Sequence, residues 1–184
     1  MTDFVAGMRA ILAAEQDFGK AFEAARPLLS RLLAEPALAR AAARWPVCNR
    51  ENWLLFEDPD YGFVLDGLVK APGQKTSIHD HGPIWVLYGL LSGGEDICHF
   101  ERSDGGHGEG PARIAETGRS TVAPGVLDLV APYTIHSEEA GAKGSVAVIL
   151  RSARPDRVAT GRFDADSGYW RESPGIRQVP MHLL

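Results

Sequence analysis

The stretch TSIHDHGPIWVLYGLLSG, residues 76–93, places two histidines, His79 and His81, one residue apart in a chain that has six histidines in all. Alternate residues of a strand face the same side, so the two imidazoles are predicted to project together from one strand. An imidazole nitrogen is a good ligand for Fe, Zn, Cu or Ni, but two ligands seldom hold a metal tightly. The stretch therefore predicts a metal site whose third ligand comes from elsewhere in the chain.

The third ligand is expected from His136, at the end of the segment APYTIH. A turn precedes this Ile-His step, and the run VAPGVLDLV at residues 122–130 supplies the strand before it. An HxH pair taken alone is more often a pair of satisfied core or surface histidines. The surrounding pattern therefore decides between the two interpretations.

The rest of the chain indicates a β-rich body behind a helical start. Short runs of Val, Leu and Ile separated by turns, in a chain with 20 glycines and 12 prolines, are typical of a sandwich or barrel. Residues 3–44 instead carry helical spacing, with breaks expected near Pro36 and Pro46. We expect a helical segment over residues 1–46 packed on a barrel with a C-terminal extension over residues 47–184, forming a single domain overall.

Charge and hydropathy exclude several classes of partner. The net charge of -5 offers no basic footprint for nucleic acid. No segment reaches the roughly 18 apolar residues of a membrane span, and no basic, apolar leader opens the chain, so no membrane partner and a cytoplasmic location are expected. Cys48 and Cys98 are interpreted as reduced thiols. The oligomeric state stays open, with a homodimer as one option.

The spacing of the glycines and histidines resembles the two motifs of the cupin superfamily. Gly73 precedes the HxH pair by six positions, Gly93 follows an apolar strand, and a Pro-Gly turn at residues 124–125 precedes PYTIH. A cupin is a double-stranded β-helix, or jelly-roll barrel, with its metal inside the barrel mouth. The resemblance implies a mainly β fold with short N-terminal α-helices. His99 and His107 lie outside both motifs and are poor candidate ligands.

Within that superfamily, the chain is similar to the cysteine dioxygenase branch, which includes bacterial 3-mercaptopropionate dioxygenases. Val86 stands where the family's usual carboxylate ligand would fall, and IHDHG together with the upstream residues 49–82 matches the branch. The resemblance implies Fe(II) held by three histidines, O2 as co-substrate and a small thiol or carboxylate as substrate. The alternatives are a module that binds or senses a small anion without turnover, and a non-oxidative isomerase or lyase that uses Zn, Ni or Mn.

The resemblance also implies a cation for a substrate carboxylate. In the branch, an arginine one or two strands before the HxH segment has this role, and Arg50 matches it by position. A surface arginine is the competing interpretation. Lys70 shares a strand face with Asp66 and Leu68, and it is the alternative anion partner if that face points inward.

The last barrel strand departs from the branch. Its Ser-x-His-x-Tyr pattern is replaced by SVAVILRS from Ser145, with Ala147 and Ile149 at the positions of the histidine and tyrosine. The ordinary thiol reaction is therefore in question. Tyr88 or Tyr133 is a candidate catalytic phenol from another strand, although each is also explained as a packed aromatic ring with its hydroxyl at the rim.

Overall fold

The computed structural model of the chain describes residues 1–106 and 108–181. The prediction made for His107 therefore lies outside the described residues. Helices occupy residues 2–42, and strands dominate from residue 51 onward. This arrangement confirms the predicted mainly β class with short N-terminal α-helices.

Four short helices form the N-terminal segment: α1 (Thr2–Ala14), α2 (Phe18–Ala24), α3 (Arg26–Leu33) and α4 (Pro36–Ala42). In α1, Phe4, Met8 and Leu12 recur every four residues and are buried, because that spacing places them on one helical face. Pro27 and Pro36 stand in the first turns of α3 and α4, where a missing amide hydrogen is tolerated. Among the described residues, no helix is long and apolar enough to cross a membrane.

Within the described residues, ten strands follow the helices: β1 (Glu51–Glu57), β2 (Val64–Lys70), β3 (Val86–Arg102), β4 (Gly110–Pro111), β5 (Ile114–Val122), β6 (Leu127–Val130), β7 (Ile135–Arg151), β8 (Ala159–Asp164), β9 (Tyr169–Pro174) and β10 (Arg177–Pro180). The paired strands β3 and β7 are each 17 residues long. Their register shifts between Leu90 and Ser92 and again between Gly93 and Glu95. Irregularities of this kind bend a strand, so the single pair of β3 and β7 can line the interior along the full length of both strands.

The strands form two sheets that meet at the HxH segment. One sheet has the order β10-β1-β2-β7-β3-β5, with β6 also paired to β3, and the other has the order β4-β9-β8. His79 makes isolated bridges to His136 of β7 and to Arg162 of β8. The HxH segment is therefore extended, as predicted, but it is not a regular strand, because only single bridges hold it between the two sheets.

The two faces of the central strands pack against different partners. Val148 and Leu150 of β7 belong to an apolar cluster that includes helical residues such as Phe22. Ala147 and Ile149 point the other way, into a second apolar cluster enclosed by strands. Burial of each large apolar side chain contributes on the order of 2 kcal/mol, so both faces stabilise the sheet. The candidate site lies on the enclosed face.

Candidate metal centre

The structure brings His79, His81 and His136 together. The backbone amides of His79 and His136 each donate to the other's carbonyl oxygen at 2.9 Å, which fixes the two residues side by side. The three ring centroids lie 4.6–5.1 Å apart, and the potential ligand nitrogens lie within 4.8 Å of one another. A metal–nitrogen bond of about 2.1 Å requires nitrogens roughly 3.4 Å apart, so small side-chain movements would close the group on one ion.

The hydrogen bonds of the rings suit metal binding. Nδ1 of His79 lies 2.9 Å from the carbonyl oxygen of Ser77, and Nδ1 of His136 lies 3.0 Å from that of Thr134. A carbonyl oxygen only accepts, so Nδ1 carries the hydrogen in both rings, and Nε2 of each neutral ring keeps its lone pair. Nδ1 of His81 is buried and has no hydrogen-bond partner in the part of the chain that the structure describes. The donor set therefore fits a metal that accepts imidazole nitrogen.

Two of the rings are held neutral, as ligands must be. Burial, followed by the neighbouring His136, lowers the pKa of His79 to about 3. Burial, followed by the charge of Arg151, lowers the pKa of His81 well below its usual value. Burial also lowers the pKa of His136, but the carboxylate of Glu138 outweighs that effect and raises it overall.

Glu138 is a site residue that the sequence did not reveal. Its Oε1 lies 3.6 Å from Nε2 of His136, and its Oε2 accepts a hydrogen bond from Nζ of Lys70 at 2.7 Å. The alternation of side chains along β7 is the signal that could have found it, because Glu138 follows His136 by two positions. A carboxylate thus stands beside the nitrogen that a metal would use, although Val86 had suggested that none was available.

The side chain of Lys70 points inward, which was the condition for its role as an alternative anion partner, but two carboxylates already bind it. Its side chain is 2% exposed, and Nζ donates to Glu95 and Glu138 at 2.7 Å each. The hydroxyl of Tyr88 donates to the other oxygen of Glu95 at 2.7 Å. Two of the residues proposed from the sequence, Lys70 and Tyr88, therefore meet in one buried polar network next to the histidines. Within it, the lysine charge is matched internally rather than offered to a ligand.

Arg50 and Tyr133 lie at the surface. Arg50 is exposed and has a φ of 67° in the bend before β1. Tyr133 is 63% exposed, and it lines a cavity of about 520 Å³ together with Asp80 and Trp170. None of the three histidines lines this cavity. The structure does not bring either residue into the histidine group.

His99 lies opposite His136 in the register of β3 and β7, yet it is not part of the group. Its Nε2 makes a 2.9 Å hydrogen bond with the hydroxyl of Ser120 on β5. This hydrogen bond directs the ring of His99 to β5 and not to the three candidate ligands. His99 is consequently a matched control for experiments on the three candidate ligands.

Arg151 is a second residue that the sequence did not single out. It ends β7, it is buried, and its Nε donates to Asp66 at 2.9 Å. An arginine at the end of the apolar run SVAVIL is the available sequence signal, because a buried charge must find a partner. It places a buried positive charge at the end of β7, paired with Asp66.

No known family model matches the chain. Its fold is similar to a Klebsiella pneumoniae protein with a double-stranded β-helix domain, at 16% identity and a TM-score of 0.41 over 60% of this chain and 80% of that one. The fold is also similar to that of KdgF from Halomonas sp., at 18% identity and a TM-score of 0.40 over 58% of this chain and 80% of that one. For the Schizosaccharomyces pombe Cnp3 cupin domain, the identity is 10% and the TM-score is 0.41, over 54% of this chain and 57% of that one.

The chain spans half or less of the length of several other neighbours. These similarities concern cupin, or double-stranded β-helix, proteins, and none points to the cysteine dioxygenase branch. Likeness this distant assigns no activity. The chain itself provides a mainly β fold and three histidines that could together hold a metal ion.

Proposed function

We propose that the protein is a mononuclear non-haem Fe(II) dioxygenase of the cysteine dioxygenase-like cupin type, which oxidises a small thiol or another small organic acid with O2. The observation that carries the proposal is the convergence of His79, His81 and His136, whose potential ligand nitrogens all lie within 4.8 Å of one another. A bound ferrous ion would supply the redox chemistry that joins oxygen to the substrate. The sequence motifs that contain the three histidines are the second line of support.

The residues of the chain favour an anionic substrate at this centre. Histidine ligands bind a metal as neutral imidazoles and add no negative charge, so a thiolate or carboxylate gains the most from a divalent cation held there. The carbonyl oxygens of Ser77 and Thr134 orient two of the rings before any ligand arrives. Ile149 and its neighbours in the enclosed cluster exclude water from one side, which strengthens the electrostatic attraction.

Glu138 is the group that places a fixed negative charge next to the reacting molecule. Lys70 fixes one of its oxygens, and the other faces Nε2 of His136. Burial raises the pKa of Glu138, but the charge of Lys70 outweighs that effect and keeps the carboxyl ionised. An ionised carboxylate in this place accepts a hydrogen bond from a thiol or hydroxyl that enters the site, and thereby orients it.

The same carboxylate favours a second candidate, a non-oxidative isomerase or lyase that uses Zn, Ni or Mn. A fixed base beside a metal is what proton abstraction from a carbon acid requires, and such a reaction consumes no oxygen. The buried Lys70–Glu138 pair is the specific observation in its favour.

Oxygen uptake and metal content separate the two candidates. The protein is purified anaerobically, loaded with Fe(II) and supplied with cysteine, 3-mercaptopropionate and related thiols in an oxygen-electrode assay. Uptake that depends on a thiol and disappears in His79→Ala supports the dioxygenase, while His99→Ala is expected to retain it. A protein that binds iron and consumes no oxygen with any thiol overturns the thiol dioxygenase, and native zinc or nickel would then favour the second candidate.

A further inference from the structure

The cavity that Tyr133 lines is separate from the histidine group. It has a volume of about 520 Å³, and Asp80 of the HxH segment and Trp170 of β9 lie on its walls. Asp80 stands between His79 and His81, and successive residues of an extended segment point to opposite sides. Its side chain therefore faces away from the imidazoles, into a cavity that none of the three histidines lines. The volume is within the range of about 300–1,000 Å³ that small-molecule sites have.

Asp80 brings an open carboxylate oxygen to this cavity. The residue is only 7% exposed, and the two hydrogen bonds that its side chain accepts within the described residues both end on Oδ1, from the amides of Gly82 and Gly161 at 2.8 Å each. These bonds orient the carboxyl group and leave Oδ2 without a donor in the described part of the chain. A carboxylate oxygen that is largely withdrawn from water gains much from a hydrogen-bond donor, and most from a charged one. Oδ2 therefore favours a ligand that carries a charged donor.

The charges around the cavity also favour a cation. Of the charged side chains on its walls, Asp80 and Glu172 are acidic and Arg102 is basic. The nitrogens of Arg102 are engaged: Nε and Nη2 donate to Asp104 at 3.1 and 2.9 Å, and Nη1 donates to the carbonyl oxygen of Gly108 at 2.7 Å. An anion would meet two carboxylates and a guanidinium that already has its partners. A cation would meet two acceptors.

Two aromatic rings complete the walls. Trp170 is buried, and its indole packs against the backbone at Gly161, where a Cβ would collide with the ring. The glycine thus brings the indole next to the amide that donates to Asp80. Tyr133 is 63% exposed, which is the largest exposed fraction among the large apolar side chains of the described residues. Aromatic faces attract cations within about 6 Å, and the attraction grows where water is excluded.

We propose that this cavity binds the alkylammonium group of a small amine. Oδ2 of Asp80 accepts a hydrogen bond from the ammonium group, and Tyr133 and Trp170 pack against its carbon chain. The site lies on the opposite side of the HxH segment from the three candidate ligands, and it goes beyond the proposed oxidation because it requires neither the metal nor oxygen.

Butylammonium and 1-butanol test the proposal, because they have nearly the same shape and only the first is charged at pH 7. With a pKa near that of lysine, about 10.4, butylammonium keeps its proton and has no lone pair to offer a metal. Binding is followed by titration in 1H–15N NMR spectra of the Zn(II)-loaded protein, since zinc does not broaden the signals. The wild type is expected to bind butylammonium at least 10-fold more tightly than 1-butanol, with shifts of the amide signals of Gly82 and Gly161.

Three variants locate the site. Asp80→Asn removes the charge but keeps an oxygen for the amides of Gly82 and Gly161, so it is expected to fold and to lose about 10-fold of the butylammonium affinity. Tyr133→Asn should lose about 3-fold, because it removes the aromatic face, and asparagine tolerates the φ of 59° at this position. Asp166→Asn is the matched control, since Asp166 is an exposed carboxylate between β8 and β9, and it should bind butylammonium as the wild type does.

Several results would overturn the site. They are shifts that do not saturate in the wild type, equal affinities for butylammonium and 1-butanol, an unchanged butylammonium affinity in Asp80→Asn, and shifts confined to amides away from the cavity. Nα-acetyl-lysine methylamide carries the same ammonium group on a peptide backbone. Weaker binding of this compound than of butylammonium supports a free amine as the ligand, and tighter binding overturns the small amine in favour of a lysine side chain of another protein.

Discussion

Replacement of Lys70 by methionine tests whether the charges inside the barrel depend on one another. The side chains of Lys70 and Glu95 are 2% and 0% exposed, and that of Glu138 is 10% exposed. Lys70→Met keeps most of the side-chain volume but leaves two carboxylates without their cation. Loss of one partner of a buried ion pair costs about 3–5 kcal/mol. At about 2–4 °C per kcal/mol for a chain of this size, the melting temperature should fall by roughly 6–20 °C.

Lys75→Met is the matched control. Lys75 binds Glu139 at 2.9 Å, but the two side chains are 66% and 46% exposed. A solvated pair of this kind contributes at most about 1 kcal/mol. Urea unfolding followed by circular dichroism gives the free energy of unfolding of both variants. Adding Glu95→Gln to Lys70→Met removes one unpaired charge and should recover part of the loss. A Lys70→Met protein as stable as Lys75→Met would refute the reasoning.

Two further predictions concern the framework of the site. Gly93 has a φ of 79°, and a Cβ there would collide with the carbonyl oxygen of Gly144, whereas a Cβ at Gly94 would meet no described atom closer than 3.7 Å. Gly93→Ala should therefore lower the free energy of unfolding, measured in urea, by at least about 2 kcal/mol. Gly94→Ala should lower it by much less. Burial raises the pKa of Asp58, but hydrogen bonds from backbone amides and from Arg9 outweigh it and lower the pKa below its usual 3.8. A lowered carboxyl pKa stabilises the folded state at pH values above the pKa of the unfolded state, and this stabilisation is lost as the pH falls through the pKa of the folded state. Asp58→Asn should therefore be less stable than the wild type at pH 7 and as stable as the wild type in acid. A difference in the free energy of unfolding that persists in acid would contradict this assignment.

The elements that sequence predicted correctly are those with a local signature. The helical spacing of residues 3–44 and the break near Pro36 have their counterparts in α1–α4. The HxH spacing placed His79 and His81 together because alternation is a property of any extended backbone. The prediction of His136 as the third ligand needed the glycine and proline pattern around the HxH pair and around PYTIH, and the structure brings His136 to the pair.

The buried charges were not predictable in the same way. Lys70 meets Glu95 across 25 positions and Glu138 across 68, and these contacts depend on the register of three strands. The bends in β3 and β7 decide which side chains share the interior, and although Gly93 and Gly94 mark the place of one bend, they do not show which charges it brings together. Glu138 comes to lie beside His136 for the same reason: a fold can bring a charge to a site from any strand that passes it.

The most direct test of the three-histidine centre is anaerobic Fe(II) binding by the wild type, His81→Ala and His99→Ala, with iron measured per chain after removal of free metal. The wild type and His99→Ala are expected to retain about one iron per chain, and His81→Ala is expected to lose it, because two remaining imidazoles hold iron weakly. Full iron content in His81→Ala would contradict the assignment of the metal centre.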